Sequence, residues 1–489
     1  MNFRMKNLSL LSLLLFITSS LFGQKVLSLK QAIDLAQANS NYVKIAGKTL
    51  EIERANFKSF QTDLRPQMML QGTPTSYGKN YNPITQPDGS VVYQAVEQNN
   101  INMQLNLTQQ IAATGGSVFV GSQINRFDDF QSDVHQYQAQ PFYVGYNQPI
   151  FQYNQLKWQK KLAPLQLQEA EKQFIEDMEW IAVQTTQFYF DALVSQLNSE
   201  IALQNVEDNK KIVRITKAKK EMGRASESEV LQVELNVISA EQTFASANLN
   251  YRTAMRALLN YLQVDSYNEV DIQLLVPASF NLSQINTDKA WEFAKRNRKD
   301  FINYQRRTVE GESQIAKAKR DNRFQANVEV AFGLSNQSND ISQAYSNNIQ
   351  SQQFNVTLAV PVLDWGRARA RIHSAVTSYE LTQAQIEQDK LDFHREVINA
   401  SEQLETMAEQ VNYIQKADEV AQKKYSIALQ RYELGDINIR ELVWSTDEKD
   451  QAKNAYINTL KSYWVSYYQL RTVTLYDFET EENIRYVIQ

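Results

Sequence analysis

"VPVLDWGRARARIHSAV", residues 360–376, starts extended, breaks at Asp364-Trp365-Gly366, and then runs on without a helix breaker. The residues leading into it alternate. Phe354, Val356, Leu358, Val360 and Val362 are apolar; Gln353, Asn355 and Thr357 are polar. That period of two predicts a half-buried strand over 353–362. A second strand signal lies upstream, where Ala326, Val328, Val330 and Phe332 alternate with Gln325, Asn327 and Glu329. From Arg367 the spacing changes to steps of three and four and predicts one helix over 367–433. Such a helix is roughly 100 Å long at about 1.5 Å per residue. No compact domain holds a rod of that length. A weaker copy of the same transition, "NQPIFQYNQLKWQKKLA", begins at Asn147.

The long helix carries a heptad seam. Phe393, Val397, Ala400, Leu404, Met407, Val411, Ile414, Ala421, Tyr425, Ala428 and Tyr432 fall three and four apart, with Asp418 the one lapse. Tyr456, Leu460, Tyr463, Tyr467 and Leu470 answer on a returning helix, the rhythm of a left-handed coiled coil.

The copy at Asn147 belongs to a tandem duplication. "AIDLAQANS" at Ala32 matches "AWEFAKRNR" at Ala290, and "RPQMMLQG" at Arg65 matches "RFQANVEV" at Arg323, both 258 positions apart. Pro149 matches Pro361, and "MGRASESEVLQVE" at Met222 matches "LGDINIRELVWST" at Leu434, both 212 apart. The first half therefore holds about 46 extra residues between Gly72 and Asn147. They contain "INMQLNLTQQI" and "GSVFVGSQINRF", which predict an added hairpin over about 99–127. The predicted organisation is a signal peptide (1–24), a first repeat (25–264), a linker (265–286), a second repeat (287–478) and a tail (479–489). Each repeat opens with one helix, 28–63 or 287–322, followed by strands, a long helix, a Gly-centred turn and a return helix.

Composition narrows the class. Only 14 Gly and 9 Pro in 489 residues favour a helix-rich chain. A net charge of −5 lacks the basic footprint of a nucleic-acid binder, so no nucleic acid is expected as partner. "MNFRMKNLSLLSLLLFITSSLFGQ" has the positive start, short apolar run and small-residue exit of a secretory signal. With no Cys there is neither a disulfide nor a lipidated Cys. No later segment is long and apolar enough for a membrane helix, so insertion would require a closed barrel of strands. No phosphate loop, nucleophile elbow or zinc signature occurs, and His373 and His394 are too far apart on one helix to share a metal. Neither catalysis nor a cofactor or metal is expected. Two strands per half, four in all, cannot close a membrane barrel alone, since the smallest have about eight. Several chains must pool them.

These features resemble the TolC family of outer-membrane efflux proteins. The resemblance spans the mature sequence and is carried by the duplicated order, "QPIF" and "VPVLDWGRARAR", and "YELGDINIRELVWSTDEKDQAKNAYINTLKSYWVSYYQLRTVTLYDF". It implies a mainly α homotrimer in the outer membrane of a Gram-negative bacterium. A 12-stranded β-barrel, four strands per chain, would continue into a periplasmic α-helical barrel. The function implied is a passive exit duct for tripartite efflux or type I secretion, energised by an inner-membrane transporter. The turns Met222-Gly223-Arg224 and Leu434-Gly435-Asp436 would meet a periplasmic adaptor protein. Ser226 with Glu229, and Asn438 with Glu441, are spaced as capping boxes after those turns. Glu441 and Trp444 occupy the family's gate-acid positions; Trp444 departs from the pattern. Glu229 is the counterpart of Glu441 in the first half, and Arg440 or Arg224 could pair with Glu441. Trp158 and Trp365 are read as anchors at the outer-membrane lipid interface. The competing reading is a soluble periplasmic coiled-coil scaffold or adaptor with a small β-domain.

Overall fold

The structure is a computed structural model describing residues 25–264, 272–279 and 285–486. The expected signal peptide (1–24), two parts of the expected linker and the last three residues lie outside the described residues. The first pass runs β1 (Lys25–Leu27), α1 (Leu29–Asn39), α2 (Asn41–Asp63), β2 (Gln67–Thr73), β3 (Tyr77–Thr85), β4 (Val91–Ile111), β5 (Gly116–Asp129), β6 (Val134–Ile150), α3 (Gln155–Glu221) and α4 (Glu227–Leu262). After β7 (Ile272–Leu274) the order recurs as α5 (Thr287–Asn297), α6 (Asp300–Asp321), β8 (Gln325–Ser338), the single turn α7 (Ile341–Ala344), β9 (Ile349–Ala359), α8 (Arg367–Leu434) and α9 (Ile439–Thr474). A short hairpin, β10 (Tyr476–Asp477) and β11 (Glu482–Asn483), follows.

Both opening helices are broken where one continuous helix was expected. Ser40 adopts extended backbone, and its side chain accepts from the Val43 N–H, ending α1 and capping α2. In the second half Arg298 is extended, and the Lys299 N–H is donated to the Glu176 carboxylate on α3. Side-chain acceptors replace the lost helical bonds at both breaks.

The seam expected along α8 packs on α9. Val397, Leu404 and Val411 are buried against a core holding Tyr463, Tyr467 and Leu470. The lapse at Asp418 is a half-buried ion pair: its buried carboxylate lies 3.4 Å from Lys453 Nζ on α9. Where the two halves meet, Tyr189, Phe190, Leu193, Met255 and Leu258 join the same core.

An ion cluster stands beside that core. Glu179 on α3 is fully buried and receives both arms of Arg471 from α9, at 2.9 and 3.1 Å. Arg471 also bonds Asp477 at 2.7 Å, Asp477 accepts from the Tyr467 hydroxyl, and the Tyr486 hydroxyl donates to Glu179. Burial alone would lower the Arg471 pKa; Glu179 beside it more than offsets this and holds it above its ordinary value. Burial likewise opposes ionisation of Asp477, but Arg471 and the Tyr467 hydroxyl win and keep its carboxyl below the ordinary range. The cluster ties the first half, the second half and the C-terminal segment together.

The strands form one antiparallel sheet. β2 and β3 are collinear and share the same edge of β4: Gln67–Thr73 pairs with one end of it and Tyr77–Thr85 with the other. The order is then β4-β5-β6-β8-β9. Counting β2 and β3 as one line, the sheet has six strand lines, not four. The added hairpin is β4-β5, and it sits inside the sheet. A second difference is at β9, which ends at Ala359 rather than 362: its partner β8 begins at Gln325, opposite Ala359, and Pro361 beyond has no N–H to give to a ladder.

The pairing separates two faces. One row runs Met68–Leu107–Val120–Val144–Phe332, and another Val118–Tyr146–Val330–Phe354. The opposite face carries Gln104, Asn106, Gln123, Tyr143, Glu329 and Gln353, which line one shallow hollow. From Ala326 to Leu334 the apolar face climbs roughly 27 Å at about 3.4 Å per residue, close to the apolar band of a membrane barrel.

Candidate functional site

The junction between sheet and helices is built by "LDWG". Trp365 and Gly366 both take left-handed backbone, φ 56° and 88°. The Asp364 carboxylate accepts from the N–H groups of Gly366 (3.0 Å) and Ala368 (2.8 Å), closing the start of α8. Trp365 is left 89% exposed beside exposed Val362 and Leu363. Trp158, near the start of α3, is half-buried instead, with Lys161 Nζ 4.7 Å above its ring.

The far ends of the long helices are the two tips. At Gly223 (φ 72°) the Arg224 N–H reaches the Lys219 carbonyl and the Gly223 N–H reaches Lys220. At Gly435 (φ 91°) Asp436 N–H reaches Arg431 and Gly435 N–H reaches Tyr432. Both are Schellman stops, which need the left-handed residue that glycine supplies. Met222 and Leu434 are exposed beside them.

The restarts differ. Ser226 and Glu229 form a complete capping box, with the Ser226 N–H 2.7 Å from the Glu229 carboxylate. Asn438 caps α9 by accepting from the Glu441 N–H at 3.0 Å, but the return bond is absent among the described residues. The second box is therefore only half formed. Neither Arg440 nor Arg224 forms a described ion pair with it. Glu229 is held by its cap, and Glu441 remains an exposed carboxylate.

Glu441 and Trp444 line an open groove between α8 and α9 with Val420, Ile427, Arg431 and Ile437. Trp444 is 66% exposed, and Lys424 Nζ lies 5.5 Å over its ring. Sequence reasoning missed Val420 and Ile427, both exposed. Their signal was present: two apolar residues seven apart, one position off the seam.

The two tips are locked side by side. Tyr432 is buried between them, its hydroxyl 2.9 Å from Thr216 Oγ1, with Lys219 over its ring and on its carbonyl. Ile212, Val233, Ile437 and Leu442 surround it.

No helix among the described residues is long and apolar enough to cross a membrane. No curated protein matches the chain by sequence. Solved structures do resemble it. The CmeC outer membrane channel of Campylobacter jejuni superposes with a TM-score of 0.66 at 17% identity, covering 94% of this chain and 90% of that one. VceC of Vibrio cholerae gives 0.64 at 12% identity over 92% and 96%. MtrE of Neisseria gonorrhoeae, an outer membrane channel in its open state, gives 0.60 at 12% over 91% and 88%. These likenesses establish a shared fold. Residues 92–262 and 294–474, well over half the chain, match the family described as outer membrane efflux protein, and the chain belongs to that family.

Proposed function

We propose that the protein is the outer-membrane exit duct of a tripartite efflux or type I secretion system. One observation carries this reading: a sheet with an apolar face runs directly into two helices about 100 Å long, through residues 151–154 into α3 and through "LDWG" into α8. The sheet would lie in the outer membrane and the helices would cross the periplasm as staves of one tube. Unpaired strand edges are not tolerated in lipid. Three chains pooling their sheets would remove the edges, giving a homotrimer. The duct itself is passive; an inner-membrane transporter supplies the energy through a periplasmic adaptor. Trp158 and Trp365 lie where strands give way to helices, as anchors at the lipid interface would.

The soluble scaffold reading leaves Leu107, Val330 and Phe354 facing water on one unbroken sheet face. An apolar patch of that extent marks a membrane or partner surface instead.

The adaptor would dock at Met222-Gly223-Arg224 and Leu434-Gly435-Asp436, with the groove of Val420, Ile427 and Trp444 alongside. Gly435→Val tests this. A Cβ at Gly435 meets nothing within 4 Å, so the change acts on the backbone alone. A non-glycine residue held left-handed costs about 1–3 kcal/mol. Trimers should survive, while adaptor capture and dye export should fall together. Normal export by this variant would remove the tip from the mechanism.

Glu441 is proposed as part of the periplasmic gate. Three copies around a narrow pore would repel one another and favour cations. Glu441→Ala should raise single-channel conductance in planar bilayers and weaken cation preference. Unchanged conductance and closed-state lifetimes would argue against gating by this residue.

A further inference from the structure

We propose that all six strand lines of each chain enter the outer-membrane wall, so that the trimer closes as an 18-stranded barrel rather than a 12-stranded one. The proposal rests on the trimer reading above. Its own support lies in where the added hairpin sits. On one side β4 pairs with β2 from Gln67↔Thr108 to Thr73↔Asn102, and on the other β5 pairs with β6 from Ser117↔Asn147 to Asp129↔Val134. The hairpin is thus held on both sides, and peeling it out would open two ladders at once.

The side chains repeat the message. Tyr143 on β6 lies across Gly121 on β5, where a Cβ would come within 2.5 Å of its ring. Beyond that glycine its hydroxyl bonds Asn106 and, at 2.8 Å, Gln104, both on β4. One tyrosine therefore staples three neighbouring lines on the polar face. On the other face Leu107 and Val120 continue the apolar row that runs from Met68 to Phe332. A hairpin folded outside the wall would have no reason to keep both faces in phase with its neighbours.

The edges complete the argument. Among the described residues, the free edges of the sheet belong to β2-β3 and to β9. Every pairing is antiparallel, and six is even, so β9 of one chain and β2 of the next run in opposite directions. They can pair antiparallel, as membrane barrels require. Barrel diameter grows nearly in proportion to strand number. With strands about 4.8 Å apart and tilted about 40°, eighteen place the backbone roughly 18 Å from the axis, and twelve roughly 12 Å. The backbone cross-section would be about twice that of twelve strands, in the size range where porins keep an open aqueous lumen.

Electron cryomicroscopy of the full chain in lipid nanodiscs, with its mass measured separately, tests this. The expected particle has three chains and eighteen strands. Three chains with twelve strands would overturn the proposal and leave the trimer standing. A different number of chains would overturn the trimer reading and the count of eighteen with it. A second test uses the absence of native Cys. Leu105→Cys and Val118→Cys, labelled with a polarity-sensitive dye, should be quenched by brominated lipid. Gln104→Cys and Gln123→Cys should not. No quenching at 105 and 118 would put the hairpin outside the wall.

Discussion

Arg471→Met is expected to cost about 3–5 kcal/mol of stability, the penalty for leaving a buried carboxylate without its partner. Glu179 is 0% exposed, and Arg471 supplies both of its guanidinium bonds. Removing the arginine strands that charge and also releases Asp477, which anchors the C-terminal hairpin. The double variant Arg471→Met, Glu179→Leu should recover much of the loss, because the isolated charge is then gone. Guanidinium unfolding followed by circular dichroism checks both. A single variant as stable as the parent would show the cluster to be solvated and unimportant. The same cluster sets a pH dependence. Asp477 has a depressed folded-state pKa, so its contribution is complete above its unfolded value, roughly 4, and is lost as pH falls through the folded value. The melting temperature should therefore drop in that acid window, and less so in Asp477→Asn.

Val120→Arg is expected to abolish barrel assembly. Val120 lies on the apolar face, in one row with Leu107 on β4 and Val144 on β6. Arg at the bilayer midplane costs about 2–4 kcal/mol, and the trimer would incur that cost in each of its chains. Gln123→Arg, on the opposite face of the same strand, should assemble normally, because in a closed barrel its side chain would meet the aqueous lumen. The readout is heat-resistant trimer in the outer-membrane fraction. Equal yields from the two variants would mean that neither face meets lipid.

The sequence was most legible where period and breaker agreed. α8 falls within one residue of the expected 367–433, and α3, α4 and α9 stand where a long helix and two return helices were expected, because long runs free of Gly leave helix as the one regular option, even with Pro164 inside α3. The tips were readable from Gly223 and Gly435. The break at Arg298 was not, since its acceptor, Glu176, arrives from α3 only in the folded chain; Ser40 carries its own cap acceptor, a local signal that the expected continuous helix left unused. The strand count was half legible. The alternation in β4 and β5 predicted a hairpin, but nothing local said that its two edges would find β2 and β6. β3 went unseen: "YGKNYNPIT" is exposed throughout and carries Pro83, tolerated there because β3 is an edge strand. The groove beside Trp444 was not legible because Val420 and Ile427 stand one position off a regular seam and leave its period unbroken.

The central claim is that this chain forms an outer-membrane duct by pooling strands with its copies. The most direct test is the protein mass of the detergent-extracted particle, corrected for bound detergent, after the two membranes are separated. The account predicts three chains per particle, recovered from the outer membrane. A single chain, or protein found only in the soluble periplasmic extract, would contradict it.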